Sequence, residues 1–277
     1  MIIREKYLSK IRPFYDQDLI KVIMGVRRCG KSVILLQIID ELKARGIPES
    51  QIIYINFEYE DYSFIKNDMD LHNYIKEKIV SKDKYYLFFD EIQNVEHWEK
   101  AINSFKASKN VSIFITGSNS DLLSGELATH IAGRYVSFKI TPFTFDEVCK
   151  LLNITDNRDI EDAFNDYIKW GGLPQRFDFK NDAQIKTYLL DVFNSIILKD
   201  IIGRFEIKDL DLFNRIVEYI VTTPSETFSA ENLANYFLGK EERGVAKNTL
   251  YNYLEYMVKG NLINKCERYD IRGIPGC

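Results

Sequence analysis

The stretch Leu19-Ile-Lys-Val-Ile-Met24, running into Gly25-Val26-Arg27-Arg28-Cys29-Gly30-Lys31-Ser32-Val33, decides the fold. Its first part is short, apolar and rich in β-branched residues, and reads as a buried strand. Gly25 to Ser32 then match G-x-x-x-x-G-K-[ST], the loop that joins a strand to a helix and wraps phosphates. The two glycines let the backbone curl so that successive N–H groups and the helix N-terminus face an anion. Lys31 reaches the β/γ-phosphates and the Ser32 hydroxyl serves Mg²⁺. The helix expected over Lys31–Ala44 carries Val33, Ile34, Leu35, Leu36, Ile38, Ile39 and Leu42 on nearly all sides, which suits a helix buried between a sheet and its neighbours. The residues assigned to cofactor binding are Gly25 through Val33, and the expected cofactor is a nucleotide phosphate chain with Mg²⁺.

Working outward, further runs at 52–57, 85–89, 111–116 and 135–140 read as buried strands separated by segments long enough for crossover helices. That alternation predicts an α/β fold, a parallel sheet with helices on both faces. The run Tyr85–Phe89 ends in Asp90-Glu91, an acidic pair at the carboxyl edge of a strand. Asp90 is expected to hold Mg²⁺ through water, and Glu91 to orient and polarise the water that attacks the γ-phosphate. Open α/β sheets bind ligands at the carboxyl ends of their strands, so the two motifs belong together.

Strand 111–116 leads into Thr116-Gly-Ser118-Asn119. Ser118 is the preferred γ-phosphate sensor, with Thr116 and Asn119 as alternatives, and a Gly/Ser/Asn β-turn is the plain reading. Asn56 either holds Glu91 in an unproductive rotamer or is a solvated strand end, the second being preferred. Arg134, just before the fifth strand, is either a finger reaching a neighbouring subunit's γ-phosphate or an arginine that caps a helix or pairs with a surface carboxylate. Arg176 either reaches back toward the nucleotide or is solvated. Trp98 and Trp170 read as core. Leu123-Ser-Gly-Glu126 follows the acidic strand, whereas the similar ABC-transporter signature precedes it. Asn264-Lys-Cys-Glu267 has Glu where a guanine-reading motif has Asp, so GTP is not indicated.

After Pro142 the pattern turns helical. Ile185, Tyr188, Leu189, Val192, Phe193, Ile196 and Ile197 form one stripe that predicts a single helix over 185–201. Further helices are expected around 212–220, from Ser229 to Phe237 and from about Val245 to Lys259, followed by a strand over 261–269. The last three elements fit a winged helix. Lys247, Asn248, Tyr251 and Asn252 would face outward on its second helix, types suited to phosphate and base edges. Residues 203–273 carry 10 Lys+Arg against 11 Asp+Glu, so docking to protein is preferred over DNA. The expected division is a P-loop core over 1–142, a helical lid over 143–205, a winged-helix segment over 206–272 and a tail over 273–277.

The order of these elements resembles AAA+ ATPases. More narrowly, Arg27-Arg28-x-Gly30-Lys31-Ser32, Phe89-Asp90-Glu91-Ile92-Gln93, Trp98, Ile115-Thr-Gly-Ser118, Gly133-Arg134, Pro142-Phe143 and Gly171-Gly-x-Pro174 are similar to a prokaryotic AAA+ family. The resemblance implies ATP binding and hydrolysis, a winged-helix segment and, usually, a C-terminal nuclease-like domain of unknown function. No carboxylate cluster of that kind follows Ile271, so ATP binding without nuclease activity is expected. The functional expectation is an ATP-driven switch read out by the helical part, with a DNA-binding regulator that turns over little ATP as the alternative. The expected partners are a second copy of the chain and DNA or protein at the winged helix.

Composition sets the outer bounds. The 277 residues are 45% hydrophobic and 13% aromatic, ample for a packed core. The net charge of −4 offers no chain-wide basic excess for nucleic acid or anionic membrane. No apolar run approaches the roughly 18 residues of a membrane span, and the first ten residues lack a signal-peptide core, so a cytoplasmic protein is expected. Four cysteines with no C-x-x-C pair and three histidines exclude a disulfide scaffold or zinc site as an organising idea.

Overall fold

The computed structural model describes residues 2–117, 133–223, 230–238 and 246–266. Five parallel strands, β1 (Ile20–Gly25), β2 (Ile52–Asn56), β3 (Tyr85–Asp90), β4 (Val111–Gly117) and β5 (Tyr135–Ile140), form one sheet in the order β2-β3-β4-β1-β5. Side chains alternate across a strand, and here both faces are covered, so β3 reads as an unbroken apolar run. Tyr85, Leu87 and Phe89 pack with α3 (Asp68–Lys78) and α4 (Trp98–Ser108) on one face. Tyr86 and Phe88 pack with α1 (Glu5–Ile11) and α2 (Lys31–Ala44) on the other. Phe88 lies directly opposite Phe114 in the register, and their rings stack 4.6 Å apart. Trp98 is core, whereas Leu36 on α2 points outward.

Beyond β5 the chain is helical: α5 (Phe145–Leu152), α6 (Asn157–Trp170), a 3₁₀ segment (Pro174–Asp178) and α7 (Asp182–Ser195). A capping box starts α5, with Thr144 and Glu147 satisfying each other's backbone amides. Two compact units meet in the chain between Val192 and Phe193. Within the first, local bonding ties the segment after β5 to α6: Phe143 N–H donates to the Gly172 carbonyl at 2.7 Å, and the Tyr167 hydroxyl to the Phe143 carbonyl at 2.9 Å. A Cβ on Gly172 would fall 2.0 Å from that carbonyl oxygen, so only glycine allows the approach.

The helix expected over 185–201 is present, with a change of pitch inside it. The α-helical turns stop at Ser195 and widen into a π-helix over Ile196–Ile202, which buries Asp200 beside Ile197 and Ile201. The apolar stripe continues through both forms, so its spacing does not reveal the change. In this second unit α8 (Leu210–Thr222), α9 (Ala230–Leu238) and α10 (Lys247–Lys259) follow. The strand expected over 261–269 is corrected, because residues 261–266 contain none. Asn261 takes a left-handed φ of 56°, and Leu262 N–H returns to the Met257 carbonyl at 2.9 Å, closing the end of α10. Residues 267–269 of that strand, Ser229 and the tail over 273–277 lie outside the described residues. Among the described residues no helix is long and apolar enough to cross a membrane.

One charge is buried at the far end of the sheet from the loop. Lys21 on β1 donates to the Ser112 hydroxyl at 2.7 Å and to the Gln17 carbonyl at 3.3 Å, and its ammonium lies over the Phe114 ring. Burial pushes its pKa down to about 7, aided by Lys84 and Lys106 and opposed by Asp16 and Asp18. The unfolded chain holds that proton more tightly, so Lys21 costs stability at low pH and the cost is relieved as pH rises from about 7 toward its ordinary value. Stability is expected to climb between pH 7 and 9, and Lys21→Met to flatten the climb. Thermal melts across that range check this, and parallel curves for the two proteins would refute it.

Candidate functional site

The strand register assembles the site. Asn56 lies opposite Asp90, and Phe89 opposite Ile115, so Asn56, Asp90 and Thr116 stand side by side at the carboxyl ends of three neighbouring strands. The loop leaves β1 two strands away from β3, with β4 between them, so Thr116 at the end of β4 stands between the loop and Asp90.

Loop geometry depends on its glycines. A Cβ on Gly25 would lie 2.2 Å from the Ile140 carbonyl oxygen and 2.7 Å from Cys29 Sγ. Gly30 adopts φ 99° immediately before α2 and has no side chain to cap the first amides of the helix, which leaves a site suited to an anion. Arg28 also takes a left-handed φ, 64°. Its side chain is exposed and donates to Gln175 Oε1 at 2.9 Å, while Arg27 lies 3.7 Å from Glu58. Cys29 is fully buried and its Sγ donates to the Ile140 carbonyl at 3.5 Å; burial pushes its thiol pKa up. Val26, Ser32 and Val33 are half-buried around the turn.

Lys31 is buried, and its Nζ lies 3.3 Å from the Gly25 carbonyl and 3.3 Å from Glu91 Oε1. Glu91 sits at φ 54° just past β3, and its backbone N–H donates to Thr116 Oγ1 at 2.9 Å. Gln93 Nε2 donates to its second oxygen, Oε2, at 2.5 Å. Asp90 is wholly buried. It accepts from Tyr54 Oη at 2.9 Å and Asn56 Nδ2 at 3.2 Å on Oδ2, and from the Thr116 hydroxyl on Oδ1. Burial, then the nearby Asp90 charge, raise the Tyr54 pKa, so Tyr54 remains a donor. The structure thus brings Lys31, Asp90, Glu91 and Thr116 together.

Other expectations are placed differently. Asn56 is buried and holds Asp90, so it is neither a solvated strand end nor a partner of Glu91. Arg176 is buried, not solvated, and is taken up by the Gly171 carbonyl at 2.5 Å and Asp166 at 2.8 Å. Arg134 lies at the opposite end of the sheet from this chain's own loop: its carbonyl accepts from Ile20 N–H at 2.8 Å, so the length of β1, roughly 17 Å, intervenes. There it borders a cleft of about 410 Å³ with Asp18 and Lys106. Ser118 and Asn119 lie outside the described residues.

Arg4 escapes the sequence analysis entirely. It is 1% exposed, and its guanidinium forks onto Glu147 with two contacts of 2.8 Å. The same group donates to the Cys29 carbonyl at 3.0 Å and to the Thr141 carbonyl at 3.0 Å. Burial alone would raise the Glu147 pKa, but the Arg4 bond and the Thr144 amide hold it below the usual carboxylate range. One side chain therefore clamps the loop to the segment after β5. No local pattern marks it, because its partner is 143 positions away.

Sheet, loop and acidic strand end define a P-loop protein of the AAA+ ATPase class. An AAA domain model, AAA_14, matches residues 17–149, and a domain of unknown function, DUF8612, matches 161–274. The chain belongs to the same family as an uncharacterized protein of Haemophilus influenzae, to which it is 38% identical over 99% of its own length and 68% of the relative's. It is also similar to the uncharacterized protein MJ1544 of Methanocaldococcus jannaschii, at 34% identity over 88% of this chain and 55% of that protein. The ORC2 protein of Aeropyrum pernix, solved in ADPNP and ADP complexes, shares the fold: TM-score 0.54, 10% identity, 94% of this chain and 84% of that one.

Proposed function

We propose that the chain binds ATP with Mg²⁺, hydrolyses it, and passes the nucleotide state to the helical segment that follows the sheet. The observation that carries this reading is the meeting of Lys31 and Glu91 at 3.3 Å across the cradle, beside Asp90. The donors fit the ligand. A glycine-built loop at a helix N-terminus suits a phosphate chain, and a serine hydroxyl with a carboxylate suits a hard divalent cation. Both oxygens of Asp90 already accept from Tyr54, Asn56 and Thr116, so its reach to a cation would run through water.

In this reading bound Mg²⁺ neutralises charge on the phosphates. Lys31 holds the phosphate chain, and Ser32 and Asp90 hold the cation. Glu91 accepts a proton from the water that it orients toward the γ-phosphate. Thr116 fixes the spacing of Asp90 and Glu91, and Ser118 is proposed as a further phosphate contact. Lys31→Ala is the direct test. It is expected to weaken ATP binding by about 100-fold or more, two or more decades at ~1.4 kcal/mol each. Calorimetry reads this, and unchanged affinity would remove the loop from nucleotide binding.

Arg134 stands too far from its own loop to serve it, so any part it takes in turnover requires a neighbouring copy. ATP is then expected to promote self-association, and Arg134→Ala to cut turnover by about 10³-fold while leaving ATP bound. Light scattering with phosphate release tests this. A chain that stays monomeric with ATP and an Arg134→Ala variant with intact turnover would return Arg134 to a structural role. The helices α8 to α10 are the proposed readout, docking protein or DNA. Gel-shift titration with salt separates those two, since DNA contacts weaken steeply as salt rises.

A further inference from the structure

Lys31 has one ammonium and, in this structure, already has an anion. Glu91 Oε1 lies 3.3 Å from it, and both side chains are buried. A phosphate arriving in the cradle must therefore take Lys31 away from Glu91. The question is what then holds the carboxylate. Its backbone is pinned, since the amide donates to Thr116 Oγ1 at 2.9 Å and the residue is fixed at φ 54°. Among the described residues its side chain keeps one other hydrogen-bond partner, the Gln93 amide on Oε2 at 2.5 Å. Asn56, the polar residue on the neighbouring strand, is committed to Asp90 and cannot take that part.

We infer that Gln93 is the positioning residue for Glu91: it holds the carboxylate at the mouth of the cradle while Lys31 passes from Glu91 to the phosphates. This rests on the hydrolase reading of the same site. The short 3₁₀ turn Ile92–Asn94 makes the arrangement local. Ile92 is buried and anchors the turn, while Gln93 is exposed, so its side chain serves no core. An amide is suited to the task because its NH₂ donates to a carboxylate without adding a charge that would compete for the phosphates. Two effects follow. With the Gln93 bond present, Oε2 is occupied and Glu91 meets Lys31 through one oxygen only. Without it, both oxygens are free to close on Lys31, which strengthens the internal competitor for the phosphate site. In the nucleotide-bound state, an unheld Glu91 samples several rotamers and orients water in few of them.

The test is a double-mutant cycle on nucleotide affinity, read with a fluorescent ATP analogue, alongside phosphate release. Gln93→Ala is expected to weaken nucleotide binding about 3- to 10-fold and to lower kcat at saturating ATP about 10- to 100-fold. Glu91→Gln removes the competing charge and is expected to tighten binding. In the Glu91→Gln background, Gln93→Ala is expected to change affinity by less than about 2-fold, because its effect runs through the carboxylate. Gln93→Asn, with the same amide on a shorter arm, is expected to recover part of the loss. Equal weakening in both backgrounds would make Gln93 merely structural and overturn the inference, as would Gln93→Ala with wild-type affinity and kcat. The two readings fail separately. A wild-type chain that binds ATP in a Lys31-dependent way and releases no phosphate refutes the hydrolase reading, and the binding cycle still decides Gln93.

Discussion

Glu91→Gln is expected to keep ATP and to release phosphate at least about 100-fold more slowly than wild type, the usual worth of a positioned general base. The substitution is nearly isosteric and leaves the backbone bond to Thr116 and the left-handed turn in place, so the fold should be unchanged. Lys31 loses a charged partner at 3.3 Å and becomes more available to the phosphates. Single-turnover phosphate release, measured with bound nucleotide counted in the same sample, separates the two effects. Wild-type turnover in this variant would remove Glu91 from the chemistry. Because such a variant holds ATP, it is also the bait of choice for identifying partners by pull-down.

Arg4→Ala is expected to cost about 3–5 kcal/mol of stability, the scale for breaking a buried ion pair and leaving one charge behind. Glu147 would stay buried with its capping bonds to Thr144 but no counter-charge. The Cys29 carbonyl would lose its donor, so nucleotide affinity should fall with stability. The paired change Arg4→Met with Glu147→Leu removes both charges and should recover much of the stability. Denaturant unfolding of the three proteins gives the comparison, and a single variant as stable as wild type would refute the clamp. The folded protein holds the Glu147 pKa below its ordinary value, so this pair stabilises fully above about pH 4.5. The contribution is lost as pH falls through the lower, folded value.

Local chemistry was legible in the sequence, and long-range chemistry was not. The strands could be read because residues buried on both faces leave continuous apolar runs, as at Tyr85–Phe89. The meeting of Lys31 with Asp90 and Glu91 was legible because the loop leaves one strand and the acidic pair ends another at the same edge of the sheet. Thr116 was visible only as one alternative among three. Tyr54 and Asn56 reach Asp90 from β2, 36 and 34 positions away, through a register that single-strand patterns do not carry. The same holds for Arg4 and Glu147. The π-helix was hidden because the burial spacing survives a local widening of the turn, and the turn at Asn261 because its neighbours Leu262 and Ile263 mimic a strand start.

The strand order also sets a timetable for the growing chain. β1 pairs only with β4 and β5, so it is made early but has no neighbour in the sheet until residues 111–117 and 135–140 have emerged. Pairings across such long separations form slowly, because loop closure must be met before any contact rewards it. The Cys29 thiol in the loop waits for the Ile140 carbonyl that accepts from it, and Arg4 waits for Glu147. β1 must therefore leave the ribosome well ahead of β4, its first sheet partner, with both edges open, the condition that invites mispairing and chaperone capture. On the proposed reading, nucleotide affinity is expected to arise abruptly once the segment through Glu147 is free, so ATP would serve first as a late-binding folding ligand.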